Sequence, residues 1–95
     1  MAKRKTPNID FMMDYVNDFL EGRLDRFFFE LDFDHNLMTH FAKMKREDPE
    51  YAEAFAYYIS DFGVDCGNAL TDDEYKELIQ RQYDELLDVA MGRFI

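Results

Sequence analysis

The sequence predicts an all-α fold: a compact bundle of four to five short helices forming a single domain over residues 7–92, after a short basic disordered arm at 1–6. Three observations carry this expectation. Apolar residues recur at helical spacing in several separate stretches. Helix starts are marked by Thr6-Pro7, by Asp48-Pro49 and by the run Thr71-Asp72-Asp73-Glu74. Only one stretch alternates like a strand, and a lone strand would leave its backbone groups unpaired.

The elements follow in order. Thr6 and Pro7 read as an N-cap and first helical residue. Ile9, Met12, Met13, Val16, Phe19 and Leu20 then lie on one face, with Phe11 or Tyr15 on its flank, which predicts a helix over 7–21 stopped by Gly22. Residues 24–34 admit two readings. Phe29-Glu30-Leu31-Asp32-Phe33-Asp34 alternates like a half-buried strand, whereas Leu24, Phe27, Phe28 and Leu31 fit two helical turns. Helix is preferred for want of a pairing strand. Asp34 then caps a further helix over 35–47 with Leu37, Met38, Phe41 and Met44 inward.

Asp48-Pro49 opens a helix to residue 62 whose apolar face is Ala52, Phe55, Ala56, Ile59 and Phe62, ended by Gly63. Val64–Leu70 reads as a loop. Thr71 and Glu74 form a capping box, in which each side chain serves the other's amide. Helix 72–91 follows, with Tyr75, Leu78, Ile79, Leu86, Val89 and Ala90 on one side and Gly92 after it.

Charge separates the function classes. The 95 residues hold 21 Asp and Glu against 11 Lys and Arg. Lys3, Arg4 and Lys5 take three of those bases, so residues 6–95 carry 8 against all 21 acids, a surplus of 13 negatives. Yet 47% of the chain is hydrophobic, with ten Phe and six Tyr, which no acidic disordered tail has. A folded body with a negative coat repels nucleic acid and anionic membranes and attracts basic surfaces. The longest apolar run, Ala54–Ile59, falls far short of the ~20 residues of a membrane helix. A single cysteine, Cys66, rules out an intrachain disulfide and suits the cytoplasm, where the protein is expected.

Motifs for chemistry fail at their defining positions. Asp32-x-Asp34-x-Asn36 begins like a calcium loop, but the turn glycine is replaced by Leu37 and the bidentate glutamate by Lys43. His35 and His40 are five apart, about 140° around a helix, and cannot complete a tetrahedral zinc site with one cysteine. Cys66 sits among Asp65, Asp72 and Asp73, the wrong field for a thiolate nucleophile. Asp61-Phe62-Gly63 matches a kinase tripeptide without the glycine-rich or catalytic loops. Among 21 acids no pair stands out as a catalytic dyad. The expectation is therefore no catalytic residues, no cofactor and no metal.

Acidic faces are the stronger signal. Asp73, Glu77, Asp84 and Asp88 fall within about a 60° arc on the last helix, and positions four apart rise about 6 Å, comparable with phosphate spacing along a strand. Glu50, Glu53 and Asp61 are read as sharing a face with Tyr57. Charged outer faces are usual on helices, and Asp72–Lys76, Glu77–Arg81 and Arg81–Glu85 are ordinary i,i+4 pairs. The surplus of negatives is what those pairs leave unexplained.

From Leu24 to Val89, the stretches LDRFFFELDFDHNLMTHFAKMKREDPEYAEAF and ALTDDEYKELIQRQYDELLDV resemble a group of short acidic proteins carried by mobile elements of Firmicutes. The resemblance covers about two thirds of the chain, is one of overall character, and supplies no catalytic residues. It implies the company of anti-CRISPR and anti-restriction proteins, several of which occupy basic nucleic-acid-binding channels.

Charge and resemblance together predict a non-enzymatic inhibitor, a nucleic-acid mimic docking on a basic protein such as a nucleic-acid enzyme, with no direct contact to nucleic acid or membrane. The alternative is a structural or regulatory module binding through aromatics, as a homodimer. Its signal is six tyrosines, at 15, 51, 57, 58, 75 and 83, more than a small core readily hides.

Overall fold

In a computed structural model that describes residues 5–91, every regular element is helical, as the sequence predicts. The elements are α1 (Pro7–Leu20), α2 (Arg26–Glu47), α3 (Pro49–Phe55) continuing as a π-helical segment (Ala56–Asp61), a 3₁₀ turn (Val64–Cys66) and α4 (Asp72–Met91). Residues 1–4 of the basic arm and Gly92 lie outside the described residues. The chain divides into two compact units, residues 1–52 and 53–95.

The first unit is built on an antiparallel pair of helices. α1 buries Ile9, Met12, Met13, Val16, Phe19 and Leu20, while Phe11 and Tyr15 flank that face. It ends in a Schellman motif: the Gly22 amide donates to the Phe19 carbonyl (3.1 Å) and the Arg23 amide to the Asp18 carbonyl (2.8 Å). Gly22 adopts φ +88°, the left-handed conformation that a side chain would strain. α2 then runs back along α1. Phe19 stacks on Phe29 at 4.5 Å, Tyr15 lies 6.4 Å from Phe33, and Phe11 stacks on His40 at 4.3 Å. The Tyr15 hydroxyl donates to the Phe29 carbonyl at 2.7 Å.

Three expectations for this unit are corrected. Residues 26–47 form one helix, and Asp25, not Asp34, caps it, accepting from the Phe28 amide at 3.0 Å. No glycine or proline lies between Arg23 and Asp48 to break it. The inward face is Phe29, Phe33 and Met44. Phe27, Phe28 and Leu31 are exposed, and Met38 is 82% exposed. Two apolar stripes were available on α2, about 160° apart, and stacking on α1 selects the one through Phe29. Thr6 does stand at the N-cap of α1, but its hydroxyl donates to the Asp10 carboxylate (3.1 Å) instead of accepting an amide.

α3 begins in the first unit, where the Asp48 carboxylate accepts from the Tyr51 amide at 3.2 Å, the cap expected of it. In the second unit, Phe55 and Ile59 are buried, and the segment expected as plain α-helix to residue 62 widens into π turns over 56–61. Phe62, expected inward, is 46% exposed. Gly63 is needed for closeness rather than for turning: a Cβ there would overlap the Ile59 carbonyl and crowd Ile79. The expected connecting loop contains a 3₁₀ turn, Val64–Cys66. α4 starts at the predicted capping box, with the Thr71 amide donating to Glu74 Oε1 (2.9 Å) and the Glu74 amide to Thr71 Oγ1 (3.2 Å). It buries Tyr75, Ile79 and Leu86, whereas Val89 is 41% exposed.

Candidate docking surface

α4 is unbroken α-helix over 20 residues, about 30 Å. The 3.6-residue period therefore holds along it, and Asp73, Glu77, Asp84 and Asp88 occupy one 60° arc. All four are exposed. Gln80, between them, donates to Asp84 at 3.0 Å and so fixes one carboxylate of the stripe. Asp73, Lys76, Glu77 and Gln80 line a shallow open depression at its N-terminal end. Neither Glu77–Arg81 nor Arg81–Glu85, expected as i,i+4 pairs, closes to ion-pair distance among the described residues. Ion pairs do join Asp18 to Arg23 and Arg26 to Glu30. Asp73, Glu77, Asp84 and Glu85 of α4 thus present their carboxylates at exposed positions.

The other expected acidic face is not assembled in the same way. Glu50, Glu53, Tyr57 and Asp61 are all exposed, but Glu50 lies in the first unit and the other three in the second. The π turns over 56–61 close i→i+5 bonds, so an angular reading at the α-helical period does not carry from Glu53 to Asp61. Tyr57 instead joins an aromatic cluster, 4.9 Å from Tyr58 and 4.8 Å from Phe62. These rings, with Arg81, Gln82 and Glu85, line an open hollow of about 290 Å³. A single helical period could not foresee that hollow, because it depends on the π turn.

Only one of the six tyrosines is exposed. Tyr75 is buried, Tyr15, Tyr51, Tyr58 and Tyr83 are half-buried, and Tyr57 alone is 51% exposed. The exposed aromatic surface that the sequence assigned to tyrosines is largely phenylalanine: Phe11, Phe27, Phe28 and Phe62.

A polar cluster in the first unit went unread in the sequence. The Glu47 carboxylate accepts from the Asn8 amide (2.9 Å), the Ile9 amide (2.9 Å) and Asn8 Nδ2 (2.6 Å), capping α1 from the far end of α2. Asn8 Oδ1 lies 2.7 Å from His40 Nδ1, which must donate, since the Asn8 amide group is turned to Glu47. Burial pushes the Glu47 carboxyl up. The Asn8 side chain, the two main-chain amides and His40 outweigh it and hold the group below its ordinary value of 4.5. Every member has a partner, so the cluster reads as a clasp between helices.

Asp32, Asp34 and Asn36 lie in the middle of α2, not in a loop, and among the described residues no group of three or more His, Cys, Asp or Glu could hold an ion. Cys66 is exposed, its thiol donating to the Asp61 carbonyl at 3.2 Å. No helix among the described residues is long and apolar enough to cross a membrane. Comparison with known proteins returns no family model, no curated protein and no solved structure that matches the chain.

Proposed function

We propose that the chain is a non-enzymatic docking module, an inhibitor that lays the acidic face of α4 in a basic, nucleic-acid-binding groove of a partner protein. One observation carries the reading: four exposed carboxylates share one narrow arc of a straight 20-residue helix. A groove that binds phosphates is lined by Lys and Arg, and a row of carboxylates on a rigid helix presents it with charge at comparable intervals. Holding that row on a helix removes the ordering cost a flexible acidic tail would meet on binding. The surplus of negatives would also speed the encounter by steering. The resemblance to mobile-element proteins points toward a nucleic-acid enzyme, of the kind met in restriction or CRISPR defence, as the partner.

The test compares immobilised wild type with the double variant Glu77→Lys, Asp84→Lys as baits in host lysate at low and high salt. Wild type should retain a basic nucleic-acid-binding protein at low salt only, and the variant should not. The captured protein, once purified, should lose its labelled nucleic acid to added wild type. Equal capture by both baits, or capture without competition, overturns the proposal.

A further inference from the structure

We infer that the outer face of α2 is a self-association surface, on which a second copy of this chain docks its own α2 antiparallel about a two-fold axis. This is independent of any role for α4. Phe27, Leu31 and Met38 lie within about 40° on the side of α2 facing away from α1, with Phe28 on the flank. They are 66%, 60%, 82% and 51% exposed, respectively. Phe27 and Phe28 meet edge to face at 5.2 Å and form one apolar knob. Taking 150–250 Å² for a whole aromatic side chain, the four expose roughly 400–500 Å², a patch at the size that marks interaction sites on monomers.

The charges beside the stripe select the occupant. Asp32 and Asp34 stand in the N-terminal half of α2, whereas Lys43 and Arg46 stand near its C-terminus, and all four are exposed. A generally basic partner would meet repulsion over the second half, and an acidic one over the first. The surface that fits is one with the same pattern reversed, which an antiparallel copy provides. In a two-fold pair, residue i of one copy faces residue j of the other, and j faces i. Asp32, Lys43 and Arg46 project from one flank of the stripe, within about 60°. With the axis near Met38 and Thr39, Asp32 of each copy faces Lys43 and Arg46 of the other. The aliphatic stems of those bases then cover Leu31 and Phe28.

The area sets the strength. Two patches give roughly 800–1,000 Å² of apolar surface, and a polar rim brings the total near the lower edge of ~1,200–2,000 Å² for specific interfaces. The dimer is therefore weak, forming at micromolar or higher concentration, with the net charge of −10 per copy opposing it.

Sedimentation velocity across a concentration series tests this. Wild type should pass reversibly from monomer to dimer. Leu31→Glu with Met38→Glu should remain monomeric with an unchanged melting curve, since both side chains are exposed. Two charge-reversed proteins test the register: Asp32→Lys, and Lys43→Glu with Arg46→Glu. Each alone should be monomeric, and an equimolar mixture should recover a heterodimer. A wild type that stays monomeric at every concentration overturns the inference. So does a dimer indifferent to Leu31 and Met38, or reversed proteins that fail to pair when mixed.

Discussion

Glu47 is one side chain through which two helices depend on each other, and its removal should be felt across the first unit. Glu47→Ala deprives the Asn8 and Ile9 amides and the Asn8 side chain of their acceptor at once. Ile9 is only 2% exposed, so water does not readily replace the lost bond. Asn8 is half-buried and recovers part of its solvation. Hydrogen bonds to a charged acceptor contribute about 1.5–3 kcal/mol each, and losing an N-cap costs about 0.5–2. With Asn8 partly resolvated, a total of about 2–3 kcal/mol is expected, which for a chain of this size lowers Tm by roughly 8–20 °C. Glu47→Gln keeps the shape and one acceptor oxygen and should cost about half as much. The sign with pH follows from the direction of the carboxyl's shift. Its folded value lies below the ordinary 4.5, so the stabilisation is present above 4.5 and is lost as pH falls through the folded value. Circular dichroism melts of wild type and Glu47→Gln should therefore show a Tm gap that is widest near neutrality and closes on acidification. Other carboxylates titrate in both proteins and cancel in the difference. A gap that stays constant with pH, or a Glu47→Ala protein melting within about 2 °C of wild type, would refute the clasp.

Tyr15 gives the alkaline counterpart. Burial, and then the nearby Asp32 carboxylate, raise its phenol to about 12 against a partial lowering by Asn36, so its contribution is intact below the ordinary 10.0 and is lost as pH rises from there through about 12. Ultraviolet titration should find a late-ionising component, and Tyr15→Phe should reduce it by one phenol; an unchanged late component refutes the assignment. Gly67→Ala should destabilise by about 1–3 kcal/mol, the usual cost of overpacking, because a Cβ there would overlap the buried Tyr75 ring. The reading fails if chemical denaturation shows Gly67→Ala to be as stable as wild type.

What the sequence allowed to be read was local. The capping box at Thr71 and Glu74, the cap at Asp48 and the buried face of α1 each depend on residues within a few turns. They emerge where residue chemistry places them. What stayed hidden depends on distant partners. Glu47 is 38 residues from Ile9, and no spacing rule links a residue at the end of one helix to the start of another. On α2 the stripes through Phe29 and through Phe27 are both apolar, and only docking on α1 decides between them. The π turn after Phe55 has no compositional mark either. Asp73, Glu77, Asp84 and Asp88 were legible as a set because α4 keeps one period, whereas the α-helical period used to group Glu53, Tyr57 and Asp61 does not run through the π turns over 56–61.

The acid surplus itself divides once the helices are in place. Asp25 and Asp48 cap helices, Glu47 clasps α1 to α2, and Glu74 closes its box with Thr71. Asp72 and Asp73 lie in the first turn of α4, where the helix dipole favours negative charge. Those acids have structural reasons. Asp88 lies in the last turn of α4, where the dipole disfavours it, and that turn holds no base among the described residues. A carboxylate there costs about a few tenths of a kcal/mol. Local rules are broken at binding sites, and an exposed acid at this end of the helix supports the docking role proposed for the α4 face. It also gives the double variant Glu77→Lys, Asp84→Lys a two-sided signature. Both positions are exposed and off the buried face, so Tm should hold while capture of the basic partner is lost. A variant that lost both stability and capture would instead place Glu77 and Asp84 among the structural acids.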